Sequence, residues 1–154
     1  MTNDFGITPE LLALVKDSEG LRLTPYLDPV GIPTIGWGHR LDSMAHPPIT
    51  QDEAVELLRM DLAAARDQLL AVSPSLFNVS AARVAALTDF CFNLGIGHYR
   101  GSTLRRCVEA ADWSGAAVEV KRWVYGHAPV TGGQIKLPGL VTRRGVESAW
   151  LLAG

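Results

Sequence analysis

Apolar residues recur at helical spacing near the start of the chain. Leu11 and Val15 fall on one stripe, and Glu19, four residues further on, lies at its end. Thr8 suits an N-cap, Pro9 the first helical position and Glu10 the positive end of the helix dipole. Ile7 and Leu12 then form a hydrophobic staple, and Gly20 supplies a stop, so a helix is predicted from Pro9 to Glu19. A carboxylate thus closes an otherwise apolar face. Leu21 to Leu27 has β character and runs into Asp28-Pro29-Val30-Gly31, the preferred composition of a type I turn. Ile32 to Trp37 is predicted as the return strand, with Pro33 restricted to an edge or first position. Gly36 and Gly38, flanking Trp37, suggest a backbone that something approaches closely.

Beyond this helix and hairpin the pattern is helical. Thr50-Gln51-Asp52-Glu53 is a capping box, and the helix it opens meets no Gly or Pro until Pro74. Such a helix is ~33 Å long, enough to bridge two lobes. Ala81 to Leu94 is apolar on nearly every side, as the centre of a bundle would be, and Gly95 and Gly97 end it. Further helices are predicted over Thr103 to Ala111, Ser114 to Tyr125 and Leu140 to Leu152, with a Gly- and Pro-rich loop over Gly126 to Gly139. The expected fold class is α+β, mainly α. A small N-terminal β-hairpin lobe (residues 13–60) and a C-terminal helical bundle (61–154, with the first helix packed on it) are joined by the long helix.

Composition changes this picture little. The 154 residues are 47% hydrophobic and 19% charged, an ordinary globular balance. Apolar runs such as Leu11 to Val15 fall far short of the ~20 residues that span a bilayer, so no stable membrane insertion is expected. Met1-Thr2-Asn3-Asp4 is polar where a secretory signal is cationic and then apolar, which predicts a cytoplasmic protein. Cys91 and Cys107 are too few for a disulfide framework or a zinc site and read as free thiols.

Charge is unevenly spread. The net −2 gives no general reason to expect nucleic-acid binding. Residues 1–99 carry a net −6, whereas residues 100–144 hold eight Lys/Arg against Glu109, Asp112 and Glu119, a net +5. That basic half could face an anionic polymer or could simply be solvated helix faces.

Glu19 at a helix end and Asp28 at a turn form a carboxylate pair, with Thr34 on the return strand. Glycoside hydrolysis needs such a pair, one protonated and one ionised. Glu19, at the end of an apolar stripe and of a helix, is set where the anion is disfavoured and is the natural proton donor. Asp28, in a polar turn, is the natural base or charge stabiliser, and Thr34 can hold a water between them. Taken alone the pattern is weak, because acidic residues at helix ends and turns are common.

The run Glu19-Gly20-Leu21-Arg22-Leu23, then Tyr26, Asp28, Gly31 and Thr34-Ile35-Gly36-Trp37-Gly38-His39, resembles the phage-type lysozymes, the endolysins of glycoside hydrolase family 24. Their signature is a Glu, eight residues, an Asp or Cys, five residues and a Thr, which Glu19, Asp28 and Thr34 match. The likeness continues through Thr50 to Asp61, Phe92-Asn93-Leu94-Gly95, Ser102-Thr103-Leu104, Arg122-Trp123 and Gly139 to Arg144 with Glu147. It implies a lysozyme-like two-lobed fold and muramidase activity, cleaving the β-1,4 bond between N-acetylmuramic acid and N-acetylglucosamine. It also implies Glu19 as general acid, with Asp28 and Thr34 positioning a water or stabilising charge.

The same resemblance places Phe92, Asn93 and Thr103 near a sugar-binding cleft, and Trp37 is the tryptophan expected nearest substrate. His39 and Asp61 match positions best read as a structural ion pair. No metal or cofactor is implied. The expected partner is the glycan strand of peptidoglycan, met by a monomer that is stored in a host cytoplasm and released to the wall through a holin. Two rivals remain: a lytic transglycosylase, and a tail-associated or non-catalytic wall-binding domain of lysozyme type.

Overall fold

A computed structural model describes residues 3–127 and 132–154. Helix α1 (Pro9–Glu19) begins as its sequence dictates, with the Thr8 hydroxyl accepting from the Leu11 amide at 3.1 Å. Leu11, Leu12 and Val15 bury its inner face, each contributing roughly 1.5–3 kcal/mol. Gly20 closes the helix at φ 71°, a conformation that suits a residue without Cβ.

Strands β1 (Arg22–Leu27), β2 (Pro33–Gly36) and β3 (His39–Arg40) form an antiparallel sheet in that order. Tyr26 lies opposite Thr34, Thr34 opposite Arg40, and Ile35 opposite His39. The β1–β2 connection is the expected turn, with Gly31 N donating to Asp28 O at 2.9 Å. The predicted return strand ends one residue early. Trp37 and Gly38 form a second turn, made possible by positive φ at Gly36 and Gly38, and that turn adds β3 to the hairpin.

Helix α2 (Gln51–Val72) starts at Thr50, whose hydroxyl accepts from Glu53 N at 3.1 Å. Its buried residues divide between two hydrophobic cores. Ala54, Leu58 and Leu62 join Ile7, Leu11, Val15, Ile35 and Trp37 in the smaller one. Ala65, Leu69 and Leu70 join Leu87, Phe90, Tyr99, Leu104 and Leu151 in the larger. The hand-over falls between Leu62 and Ala65.

After a 3₁₀ turn (Pro74–Asn78), α3 (Ala81–Leu94) runs through the centre of the bundle, with Val84 to Cys91 all buried. Around it lie α4 (Ile96–Arg100), α5 (Thr103–Glu109), α6 (Trp113–Val120) and α7 (Pro138–Ala153). Helix α6 stops short of the predicted Tyr125. Arg122 N and Trp123 N bond Glu119 O and Val120 O in a tight final turn, and Tyr125 turns away into a strand. The loop expected over Gly126 to Gly139 instead carries a hairpin of β4 (Tyr125–His127) and β5 (Gln134–Lys136) and the first turn of α7; residues 128–131 lie outside the described part. Among the described residues, no helix is long and apolar enough to cross a membrane.

Candidate active site

The end of α1, the β1–β2 turn, β2, β3 and the end of α3 converge on one cleft of about 710 Å³. Glu19, Asp28, Thr34, His39, Asp61, Phe92 and Asn93 all line it, with Tyr26 and Arg40. Residues far apart in sequence thus meet on one surface.

Asp28 is held by its own turn: Oδ1 accepts from Val30 N and Ile32 N, both at 2.9 Å. Among the described residues, nothing hydrogen-bonds Oδ2. Thr34, on the central strand and 3% exposed, donates its hydroxyl proton to Ile32 O at 2.8 Å. What its oxygen has left to offer the cleft is acceptor capacity.

Glu19 differs from the sequence expectation. Its neighbourhood is polar rather than apolar, and its side chain is 28% exposed and ion-paired through Oε1 to Arg143 Nη1 at 2.7 Å. The apolar stripe of α1 ends at Val15, and Glu19 points past it into the cleft. Among the described residues, nothing hydrogen-bonds Oε2.

Arg143 leads to a group absent from the sequence-based expectations. Its Nε donates to Asp89 Oδ2 at 2.8 Å and its Nη2 to Asp89 Oδ1 at 2.7 Å, a two-pronged pairing on a fully buried carboxylate. Arg144 and Glu147, both fully buried, sit beside it 3.3 Å apart. Burial alone would push the Asp89 carboxyl up, but hydrogen bonds with Arg143 and Glu147, and the charges of Arg143 and Arg144, hold it below the ordinary range. Burial, then the neighbouring Asp89, push Glu147 well above it. A signal for the group existed: Asp89 is the lone acid in a helix apolar on nearly every side, and a buried charge requires a partner.

His39 Nδ1 donates to Asp61 Oδ2 at 2.9 Å, tying β3 to α2. Asn93 accepts from Arg144 Nη2 through its amide oxygen, leaving its NH₂ to meet a ligand. Phe92 lines the cleft while packing against both cores. Two of the expected substrate residues lie off the cleft lining. Trp37 is 5% exposed and belongs to the smaller core, with Lys16 Nζ over its ring, so it presents no face to the cleft. Thr103 opens α5 on an exposed surface outside the cleft lining. The other tryptophans also pack: Trp123 edge-on to Phe90 at 5.4 Å, Trp113 under Arg83, and Trp150 against both cores. Among the described residues no three His, Cys, Asp or Glu stand together as a metal site.

Residues 16–147 match the family model described as phage lysozyme. An endolysin of Acyrthosiphon pisum secondary endosymbiont phage 1 is 34% identical over 145 residues, covering 93% of this chain and 95% of that one. The muramidase domain of SpmX from Asticaccaulis excentricus superposes with a TM-score of 0.81 at 28% identity, covering 95% of this chain and 97% of that one. The endolysin of Escherichia coli O157:H7 phage FAHEc1 gives 0.79 at 27% identity, covering 99% and 96%.

Proposed function

The chain belongs to the phage lysozyme family, and we propose that it is an endolysin that hydrolyses the β-1,4 bond between N-acetylmuramic acid and N-acetylglucosamine in peptidoglycan. The observation that carries the reading is the convergence of Glu19, Asp28 and Thr34 on one cleft.

In this reading Glu19 is the general acid. Anchored at Oε1 by Arg143, it carries its proton on Oε2 and delivers it to the glycosidic oxygen as the C1–O bond breaks. A water attacks C1 from the other side. It gives one hydrogen to Asp28 Oδ2, the oxygen its turn leaves unused, and one to Thr34 Oγ1, whose own proton is committed to Ile32. Asp28 accepts the water's proton as the new C1–OH forms. The products are a muramic acid reducing end and a free 4-hydroxyl on N-acetylglucosamine.

The rival lytic transglycosylase needs an acid but no positioned water, and it makes a 1,6-anhydro product. The unused Asp28 oxygen and the orientation of Thr34 favour hydrolysis. Mass spectrometry of digested wall separates the two, since hydrolysis leaves reducing muramic ends. Turbidity loss of purified wall by the wild type, absent in Glu19→Gln, tests the assignment of the acid and excludes a non-catalytic wall-binding module. Turnover near the wild-type rate in that variant, or anhydro ends in the wild-type digest, refutes the proposal.

A further inference from the structure

The Arg143 guanidinium has two carboxylate partners on two of its edges. Nε and Nη2 fork onto buried Asp89, while Nη1 reaches 2.7 Å to Glu19. Because a guanidinium is planar and rigid, fixing one edge in a bidentate pair fixes the direction of the remaining N–H groups. Asp89 itself is locked, fully buried in the central helix and far from solvent.

We propose that Asp89 is a positioning residue for the reaction: it aims Arg143 at Glu19, and its negative charge offsets the Arg143 cation so that Glu19 still takes up the proton it must donate. This inference rests on the reading of Glu19 as the acid. Arg143 alone beside Glu19 would hold the carboxyl in place and also hold it ionised, which a proton donor cannot tolerate. Sharing the cation with Asp89 separates the two effects, keeping the grip and weakening the pull. The other charged groups around Asp89 are Arg144 and Glu147, on the same helix as Arg143. Those lining the cleft with Glu19 are Asp28, His39, Arg40 and Asp61. None of the cleft groups touches the Asp89–Arg143 fork, so a change at Asp89 reaches Glu19 through Arg143.

The test is the pH profile of wall solubilisation, from about pH 4 to about pH 9, for wild type, Asp89→Asn, Asp89→Glu and Glu19→Gln, each checked for native packing by near-UV circular dichroism. In Asp89→Asn the carboxylate that shares the Arg143 charge is gone, and more of that charge falls on Glu19. The alkaline limb is expected to move to lower pH by about one unit or more, a loss of rate of at least about fivefold at the wild-type alkaline midpoint. A merely structural Asp89 would lower the melting temperature and leave the limb where it was.

Asp89→Glu keeps the charge but displaces the fork by one methylene. Here the limb is expected to hold its wild-type pH while the rate falls at least about fivefold. A folded Asp89→Asn with the wild-type limb overturns the inference. So does wild-type rate in Asp89→Glu, which decides the matter should Asp89→Asn not fold. Full activity in Glu19→Gln removes the underlying reading and this inference with it. An inactive Glu19→Gln beside an unshifted Asp89→Asn overturns this inference alone.

Discussion

His39 on the third strand and Asp61 on the long helix meet across 22 residues of chain, Nδ1 to Oδ2 at 2.9 Å, at the wall of the cleft. The two side chains are 27% and 29% exposed, so the pair is screened and contributes about 1 kcal/mol or less. Its geometry clips a two-residue strand to the helix that crosses both cores. Asp61→Asn is expected to lower the melting temperature by a few degrees while wall hydrolysis stays within about threefold of wild type. A much larger loss of rate with unchanged stability would place the pair in the chemistry instead.

Thr34→Val keeps the β-branched shape and removes the hydroxyl, leaving Ile32 O with the Asp28 amide at 3.0 Å as its remaining donor. Stability should fall by about 1 kcal/mol. Wall hydrolysis should fall by roughly 10- to 100-fold, read from initial rates, because the water loses one of its two acceptors.

Gly38 sits at φ +83°, and a Cβ built there lies 3.8 Å from Glu19 Oε2. Gly38→Ala therefore does two things. The left-handed conformation costs about 1–2 kcal/mol in an L-residue, visible in urea denaturation. The methyl also stands against the oxygen assigned the proton, and the hydrolytic rate is expected to drop beyond what unfolding explains.

Glu147 is fully buried with Arg144 Nη1 3.3 Å from its Oε2; burial first, then a hydrogen bond to Asp89 and that carboxylate's charge, hold it well above its ordinary value of 4.5. In this state the native protein keeps a proton that the unfolded chain releases, so stability declines as pH rises above about 4.5. The slope reaches up to about 1.4 kcal/mol per pH unit until the native group also ionises. Glu147→Gln removes that decline. Denaturation curves should coincide for the two proteins near about pH 4 and separate at higher pH, with the variant the more stable.

The Cys91 thiol is buried and pushed up to about 12, by burial first and then by Glu147 and Asp89. Alkylation at about pH 8 should leave Cys91 unmodified until denaturant is added, because the thiolate is the reactive form.

What the sequence displayed, it displayed through local chemistry. Thr8, Thr50 and Ser80 each cap the next helix in the chain, and Asp28 with Gly31 writes its turn into four residues. Helix α4 and the β4–β5 hairpin escaped because their elements are only three to five residues long, too short for a periodic signal and rich in glycine. The catalytic candidates were legible through the resemblance to phage-type lysozymes, whose signature Glu19, Asp28 and Thr34 match within one supersecondary unit; on residue type alone the pattern is weak. The Asp89–Arg143 fork joins residues 54 apart in sequence and depends on the packing of α3 against α7, which no local pattern encodes. Trp37 lies in the core for a related reason: of its two flanking glycines, Gly36 is approached by Ala54 and Ile49 of the core and only Gly38 by the cleft, at Glu19.

Helix α2 lends its first half to one core and its second half to the other. Neither half of the molecule can therefore melt without withdrawing buried side chains from a rod that the other half needs intact. Amide hydrogens near Leu62 and Ala65 should be among the last to exchange with deuterated solvent, and the two lobes should lose structure in a single cooperative step.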